Sequence, residues 1–226
     1  MNQLRATQDA QPTRTAEILD TLQSDIVSGR LAPSERLRFD ALRKKYDIGI
    51  SPLREALMHL ASQGLVVAEQ RKGYRVAPVS SADLTEVARL RAEFDALAVR
   101  ESIANGDELW EGRVLAAFHA LTKRNKLGDD GEVDPTWEGY HIRFHDQLVS
   151  ECKMPKLLEF RAILELQARR YRRIAVHYLT SPRDDLNEHR EIQDAAIARN
   201  GDRAAELIKG HYMRTVDIIL AGENTF

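Results

Sequence analysis

The chain has 226 residues, 43% of them hydrophobic and 30% charged, with a net charge of −2. That is enough apolar matter for one large core or two modest ones, and no apolar run approaches the roughly 20 residues that a membrane-spanning helix needs. The single cysteine, Cys152, excludes an internal disulfide framework and suits a reducing cytoplasm; it reads as a small packing residue near a helix end.

The small net charge conceals a division. Residues 1–78 hold 12 Lys and Arg against 9 Asp and Glu, whereas 79–226 hold 21 against 26. A positive first part joined to a negative second part suits nucleic-acid binding by the first alone. Residues 1–13 are polar, lack a signal-peptide core and read as a flexible tail. Over residues 15–28, Ile18, Leu19, Leu22, Ile26 and Val27 recur at helical spacing. Gly29 ends that helix, and Leu31-Ala32-Pro33-Ser34 is a loop.

The stretch RLRFDALRKKYDIGISPLREALMHLASQGLVVAEQRKGYRV, ending at Val76, predicts helix, tight turn, helix and a short hairpin with a basic tip. Ser51 is placed to cap the second helix and Pro52 to occupy its first position. Leu53, Ala56, Leu57, Leu60 and Ala61 form its apolar face, while Arg54, Glu55, Met58 and His59 fall off it. Gly64 stops the helix; residues 65–68 and 74–76 then read as strands around Glu69-Gln70-Arg71-Lys72-Gly73. This is a winged helix-turn-helix over residues 14–78, whose second helix enters the DNA major groove. Arg38, Arg43, Lys44, Lys45, Arg71 and Lys72 are candidates for contact with DNA, Arg54 for a base or the backbone, Ser51 for the helix entry and Gly73 for close approach of the wing.

Ala77-Pro78-Val79-Ser80-Ser81 reads as a linker whose serines can cap the next helix. Residues 79–226 show no convincing strand. Helical patterns run over 82–105, 108–126, from Asp134-Pro135 to about Cys152, from Met154-Pro155 to about Leu179, from Ser181-Pro182 to about Asn200, and from Gly201-Asp202 to near Gly222. The expected fold is therefore mainly α, a small winged domain followed by an antiparallel helical bundle.

Of the histidines, His141 and His145 lie four apart, on one face of the third bundle helix, a spacing that suits a transition metal and also occurs in hydrated or core pairs. His189 and His211 fall on two later helices. His119 and His177 lack matched partners and read as structural or surface residues; His59 reads as a solvated helix residue. A metalloenzyme is the competing reading, but Ile142-Arg143-Phe144 between the paired histidines offers no acid for base chemistry. A metal sensor, with the ion as the signal, is a further alternative.

PLREALMHLASQGLV and RKGYRV resemble the recognition helix and wing of the GntR family of bacterial transcription regulators. The resemblance implies a DNA-binding regulator, in practice a repressor, acting on double-stranded operator DNA as a homodimer. Two positions depart from the family pattern: Ile50 stands where an arginine often precedes the Ser/Thr-Pro pair, and Asp40 replaces an arginine early in the preceding helix. FHDQLVSECKMPKL and HREIQDAAIARNGDRAAELIKGHY resemble the FCD effector domain of the FadR subfamily. That implies a divalent transition metal, with His145, His189 and His211 as ligands and His141 at the position usually held by Asp. A neutral imidazole there leaves the site more positive, which favours zinc, or nickel, and attracts anions. It equally leaves open that position 141 does not ligate. GISPLREAL together with HxxxH is most similar to the branch containing the glutarate-responsive repressor of carbon starvation, which implies a small carboxylate effector. Arg91 can grip that carboxylate, or form a surface ion pair with Asp95 four residues on; Arg170 or Tyr171 is expected at the cavity.

Overall fold

A computed structural model describes residues 14–176 and 183–222. The tail expected over residues 1–13, His177 and the helix start expected at Ser181-Pro182 lie outside the described residues. The chain divides after Pro78 into two compact units.

The first unit holds α1 (Arg14–Val27), β1 (Arg36–Leu37), α2 (Phe39–Tyr46), α3 (Ile50–Ser62), β2 (Val66–Glu69) and β3 (Gly73–Val76). The apolar stripes of α1 and α3 pack together, with Leu22, Leu53, Leu57 and Leu60 fully buried. The sheet is antiparallel in the order β1-β3-β2, with Val66 opposite Val76, Glu69 opposite Gly73, and Arg36 opposite Arg75. Strand β1 escapes sequence reading because two residues cannot display an alternation. The expected helix cap is also corrected. Ser51 is not the cap of α3: the cap is Gly49, in extended conformation, whose carbonyl accepts from the Leu53 amide at 3.3 Å. Ser51 and Pro52 therefore lie inside the first turn, where the missing proline N–H still costs no intrahelical bond.

The second unit is the antiparallel bundle of α4 (Ser81–Asn105), α5 (Glu108–Thr122), α6 (Pro135–Leu148), α7 (Pro155–Val176), α8 (Asp185–Ile197) and α9 (Gly201–Ala221). Five of these helices open on a side-chain cap, from Ser80, Asp107, Asp134, Asp184 and Asn200, each accepting a backbone N–H of its own first turn. The second bundle helix stops at Thr122 rather than near residue 126. The following chain doubles back, with the Asp134 amide donating to the Lys126 carbonyl at 2.9 Å and Leu127 bridging Val133. Around Trp110, Phe144, Leu148, Ile192 and Ile208 the core is essentially closed to solvent. Helix α4 packs against α9 and α7, and it carries Arg91 and Asp95 into the interior. Among the described residues no helix is long and apolar enough to cross a membrane.

Candidate metal centre and effector pocket

The one-turn spacing on α6 brings His141 and His145 together, with ring centroids 4.6 Å apart. Helices α8 and α9 deliver His189 and His211, themselves 4.5 Å apart, against the first pair. One donor atom from each of the four histidines lies within 4.8 Å of the others, and all four side chains are buried. Four imidazole nitrogens gathered from three helices are a donor set that suits a transition ion such as zinc.

Burial drives every ring toward its neutral form and takes His189 down to about 4. For His141, His145 and His211, burial lowers the pKa first and repulsion among the imidazoles adds to it. Neutral rings keep a lone pair for a cation. His141 Nδ1, His145 Nε2 and His189 Nε2 are buried with no hydrogen-bond partner among the described residues. Each orphaned buried nitrogen costs about 1–3 kcal/mol, so the cluster as it stands lacks a counterpart that a metal ion would supply. The residues present thus fit such an ion.

The outer nitrogens are engaged elsewhere. His211 Nδ1 lies 2.8 Å from Glu188 Oε2, and Arg183 clamps Glu188 through Nε at 3.0 Å and Nη2 at 2.7 Å. Burial opposes the charged form of Glu188, but the hydrogen bonds from His211 and Arg183 outweigh it and hold the carboxyl well below the usual range. The His189 ring is hydrogen-bonded to the backbone of Asp185. His145 Nδ1 lies 3.3 Å from the Tyr212 hydroxyl, which donates to Asp95 Oδ2 at 2.6 Å. Asp95 in turn receives Arg161 Nε, while Arg161 Nη1 reaches Asp146 at 2.7 Å.

Beside the cluster lies a cavity whose walls include Arg91, His141, Tyr171, Arg172, His211 and Tyr212. A second cavity shares His141, Arg172 and His211 and adds Lys126, Trp137 and Arg183. The reading of Arg91–Asp95 as a surface pair is corrected: both residues are buried, at 3% and 1% exposure. Arg91 Nε lies 3.5 Å from Asp95 Oδ2, beyond a good hydrogen bond, and lacks a hydrogen-bond partner among the described residues. The Arg91 guanidinium rests 4.1 Å over the ring of Tyr212. Tyr171 reaches the cavity wall, but its hydroxyl is spent on Asp83 and Ser80 at the start of α4. Arg170 is buried yet lines neither cavity. A helix presents each residue about 100° from the last, and here Tyr171 and Arg172 take the inward arc. Arg172 was not singled out from the sequence; its Nη2 pairs with Glu165 at 2.8 Å, while its Nε and Nη1 are buried without a hydrogen bond among the described residues. Arg183, Glu188 and Tyr212 were also missed, because nothing local distinguishes them from ordinary helix-surface residues. His119 and His59 are exposed, the latter within 3.2 Å of Gln63.

In the first unit, Arg38 stands exposed at the cap of α2, Arg43 and Lys44 on α2, Ser51 and Arg54 on α3, and Arg71 and Lys72 in the turn between β2 and β3. Gly73 has φ +89°, and no atom would crowd a Cβ there, so its conformation rather than close packing calls for glycine. Lys45 is otherwise occupied: its ammonium lies 3.1 Å from Asp25.

Residues 14–76 match the family of bacterial regulatory proteins called gntR, and residues 86–214 match the FCD domain. The HTH-type transcriptional repressor GlaR of Escherichia coli (strain K12) is 35% identical over 88% of this chain and 92% of its own. The HTH-type transcriptional regulator BphR of Paraburkholderia xenovorans (strain LB400) is 32% identical over 93% and 90%. The crystal structure of a GntR transcriptional regulator from Rhodococcus sp. RHA1 superposes with a TM-score of 0.71 at 26% identity, covering 93% of this chain and 99% of that one. The chain therefore belongs to the gntR family of bacterial regulatory proteins, as a DNA-binding transcriptional regulator with an FCD domain rather than an enzyme.

Proposed function

We propose that this regulator is a homodimeric repressor whose operator affinity is set by a small carboxylate bound beside one divalent transition metal per chain. The observation that carries the reading is the set of four buried imidazoles with donor atoms within 4.8 Å of one another. His141, His145, His189 and His211 would hold the ion, zinc by preference and nickel next, since imidazole suits both. When bound, the ion supplies a Lewis-acidic centre for a carboxylate oxygen. Arg91, with its unsatisfied Nε, supplies the charge-assisted hydrogen bond that fixes orientation. The name of the repressor GlaR supports the sign of regulation. Two copies present two recognition helices to two half-sites, with Arg38, Arg43, Lys44, Arg54, Arg71 and Lys72 facing the duplex.

Metal content and DNA release, measured for the native chain and His189→Ala, test this. About one zinc or nickel per native chain is expected, with loss in the variant. Release of operator DNA by dicarboxylates of three to six carbons or 2-hydroxy acids is expected for the native chain only. Equal release from the metal-deficient variant overturns the effector mechanism, and a native chain that refuses added zinc and nickel overturns the metal site. A second reading rests on the donor count: four protein nitrogens already saturate a tetrahedral zinc, as in closed structural sites. DNA affinity that responds to the ion and to none of the acids would favour the ion as signal.

A further inference from the structure

We infer that Tyr212 is the positioning residue of the histidine cluster: its hydroxyl fixes the tautomer of His145 so that Nε2 turns its lone pair to the centre. The inference rests on the metal reading for its consequence and on hydrogen-bond valence for its logic. A tyrosine hydroxyl has one proton to give. The Tyr212 hydroxyl stands 2.6 Å from Asp95 Oδ2, a carboxylate oxygen that only accepts, so its proton goes there. The hydroxyl oxygen then offers only lone pairs to His145 Nδ1 at 3.3 Å, and the ring must be the donor. His145 therefore carries its hydrogen on Nδ1, leaving as acceptor Nε2, the buried nitrogen with no partner among the described residues.

Asp95 is held from behind by Arg161, itself tied to Asp146, and flanked by Arg91. With cations on both sides it stays an acceptor, and the hydroxyl cannot turn round. The arrangement repeats at His211, where a carboxylate of Glu188 can only accept from Nδ1. Outer-shell partners of this kind typically govern metal affinity by 10–100-fold. Tyr212 also serves a group on the cavity wall, because its ring face carries the Arg91 guanidinium at 4.1 Å. One side chain thus aligns a ligand nitrogen and an anion-binding arginine.

The test uses the full chain, native and Tyr212→Phe, stripped of metal and then loaded with zinc or cobalt(II). Long-range 1H–15N NMR on the metal-free protein should find His145 in the Nδ1–H form, and Tyr212→Phe should shift it to the Nε2–H form or a mixture. Zinc affinity by chelator competition should fall about 10–100-fold. The visible spectrum of the cobalt form should change, which a remote packing defect would not cause. An unchanged tautomer together with unchanged zinc affinity overturns the inference. If neither native nor variant protein takes up metal, the tautomer alone decides it: retention of Nδ1–H in Tyr212→Phe overturns it, and loss upholds it, even though the metal reading has failed. Should Tyr212→Phe not fold, Asp95→Asn removes the obligate acceptor while keeping the phenol, and a loss of the Nδ1–H preference is expected; full retention overturns the inference.

Discussion

Asp25 gathers three donors in the first unit. It is buried on α1, yet Arg30 Nε at 2.7 Å, Lys45 Nζ at 3.1 Å and the Tyr46 hydroxyl all donate to its carboxylate. Burial raises its pKa, but hydrogen bonds from Tyr46, Arg30 and Lys45 outweigh burial and leave it below the ordinary value of 3.8. A depressed pKa in the folded state means that the carboxylate contributes fully above that ordinary value and is lost as pH falls through the folded value. Asp25→Asn should therefore cost about 1–3 kcal/mol at neutral pH by leaving donors unsatisfied. In urea unfolding, the difference between native and variant should shrink as the pH drops below the ordinary value. A gap that holds constant down to strongly acidic pH would show that the carboxylate charge is irrelevant. The knot was not legible beforehand, because Lys45 and Tyr46 lie 20 and 21 residues from Asp25 and nothing local marks the meeting. His141 and His145 were legible, because one helical turn joins them and only helix formation is needed. What placed His189 and His211 beside them in the sequence was a pattern resemblance, and the structure supplies the physical reason: α8 and α9 both pack so that these rings point inward.

At the scale of elements, the starts of α6 and α4 were readable because Asp134-Pro135 and Ser80 carry capping chemistry in their own side chains. Ends were less readable. Helices α5 and α6 stop several residues before their apolar periodicity fades, since turns beyond them are set by contacts that periodicity does not encode. Ser51 misled for the reverse reason: it has the right chemistry for a cap, but Gly49 adopts the extended conformation first. In the proposed function, α3 and the turn between β2 and β3 are the elements that meet DNA. Arg54 is exposed on α3, with its guanidinium 5.9 Å from the centre of the Phe39 ring. Arg54→Ala should weaken operator binding by about 1–3 kcal/mol and alter base preference, whereas Lys72→Ala should weaken all sequences alike and reduce the salt slope by about one unit. Fluorescence anisotropy across a salt series separates the two. An unchanged affinity for Arg54→Ala would take that residue out of the interface.

Across the whole molecule, the two units are joined through Pro78 and Val79, and α4 begins at once, with Ser80 as its cap. The wall of the cavity beside Arg91 is not independent of that start, because Tyr171 lines the cavity while its hydroxyl engages Ser80 and Asp83. The hydroxyl therefore works as a clasp on the first turn of α4. An occupant that displaces Tyr171 opens the clasp, and a turn of four residues released from helix to extended chain lengthens by about 7 Å, from roughly 1.5 to 3.3 Å per residue. If the proposed effector occupies this cavity, its binding would be converted into slack in the tether. Tyr171→Phe should leave the tether permanently slack: amide exchange over residues 79–84 should rise, acid binding should persist, and the change in operator affinity on adding acid should shrink from the 5–150-fold typical of about 1–3 kcal/mol of coupling. Were amide exchange unchanged and the response to acid intact, the length of the tether would not be what the occupant controls.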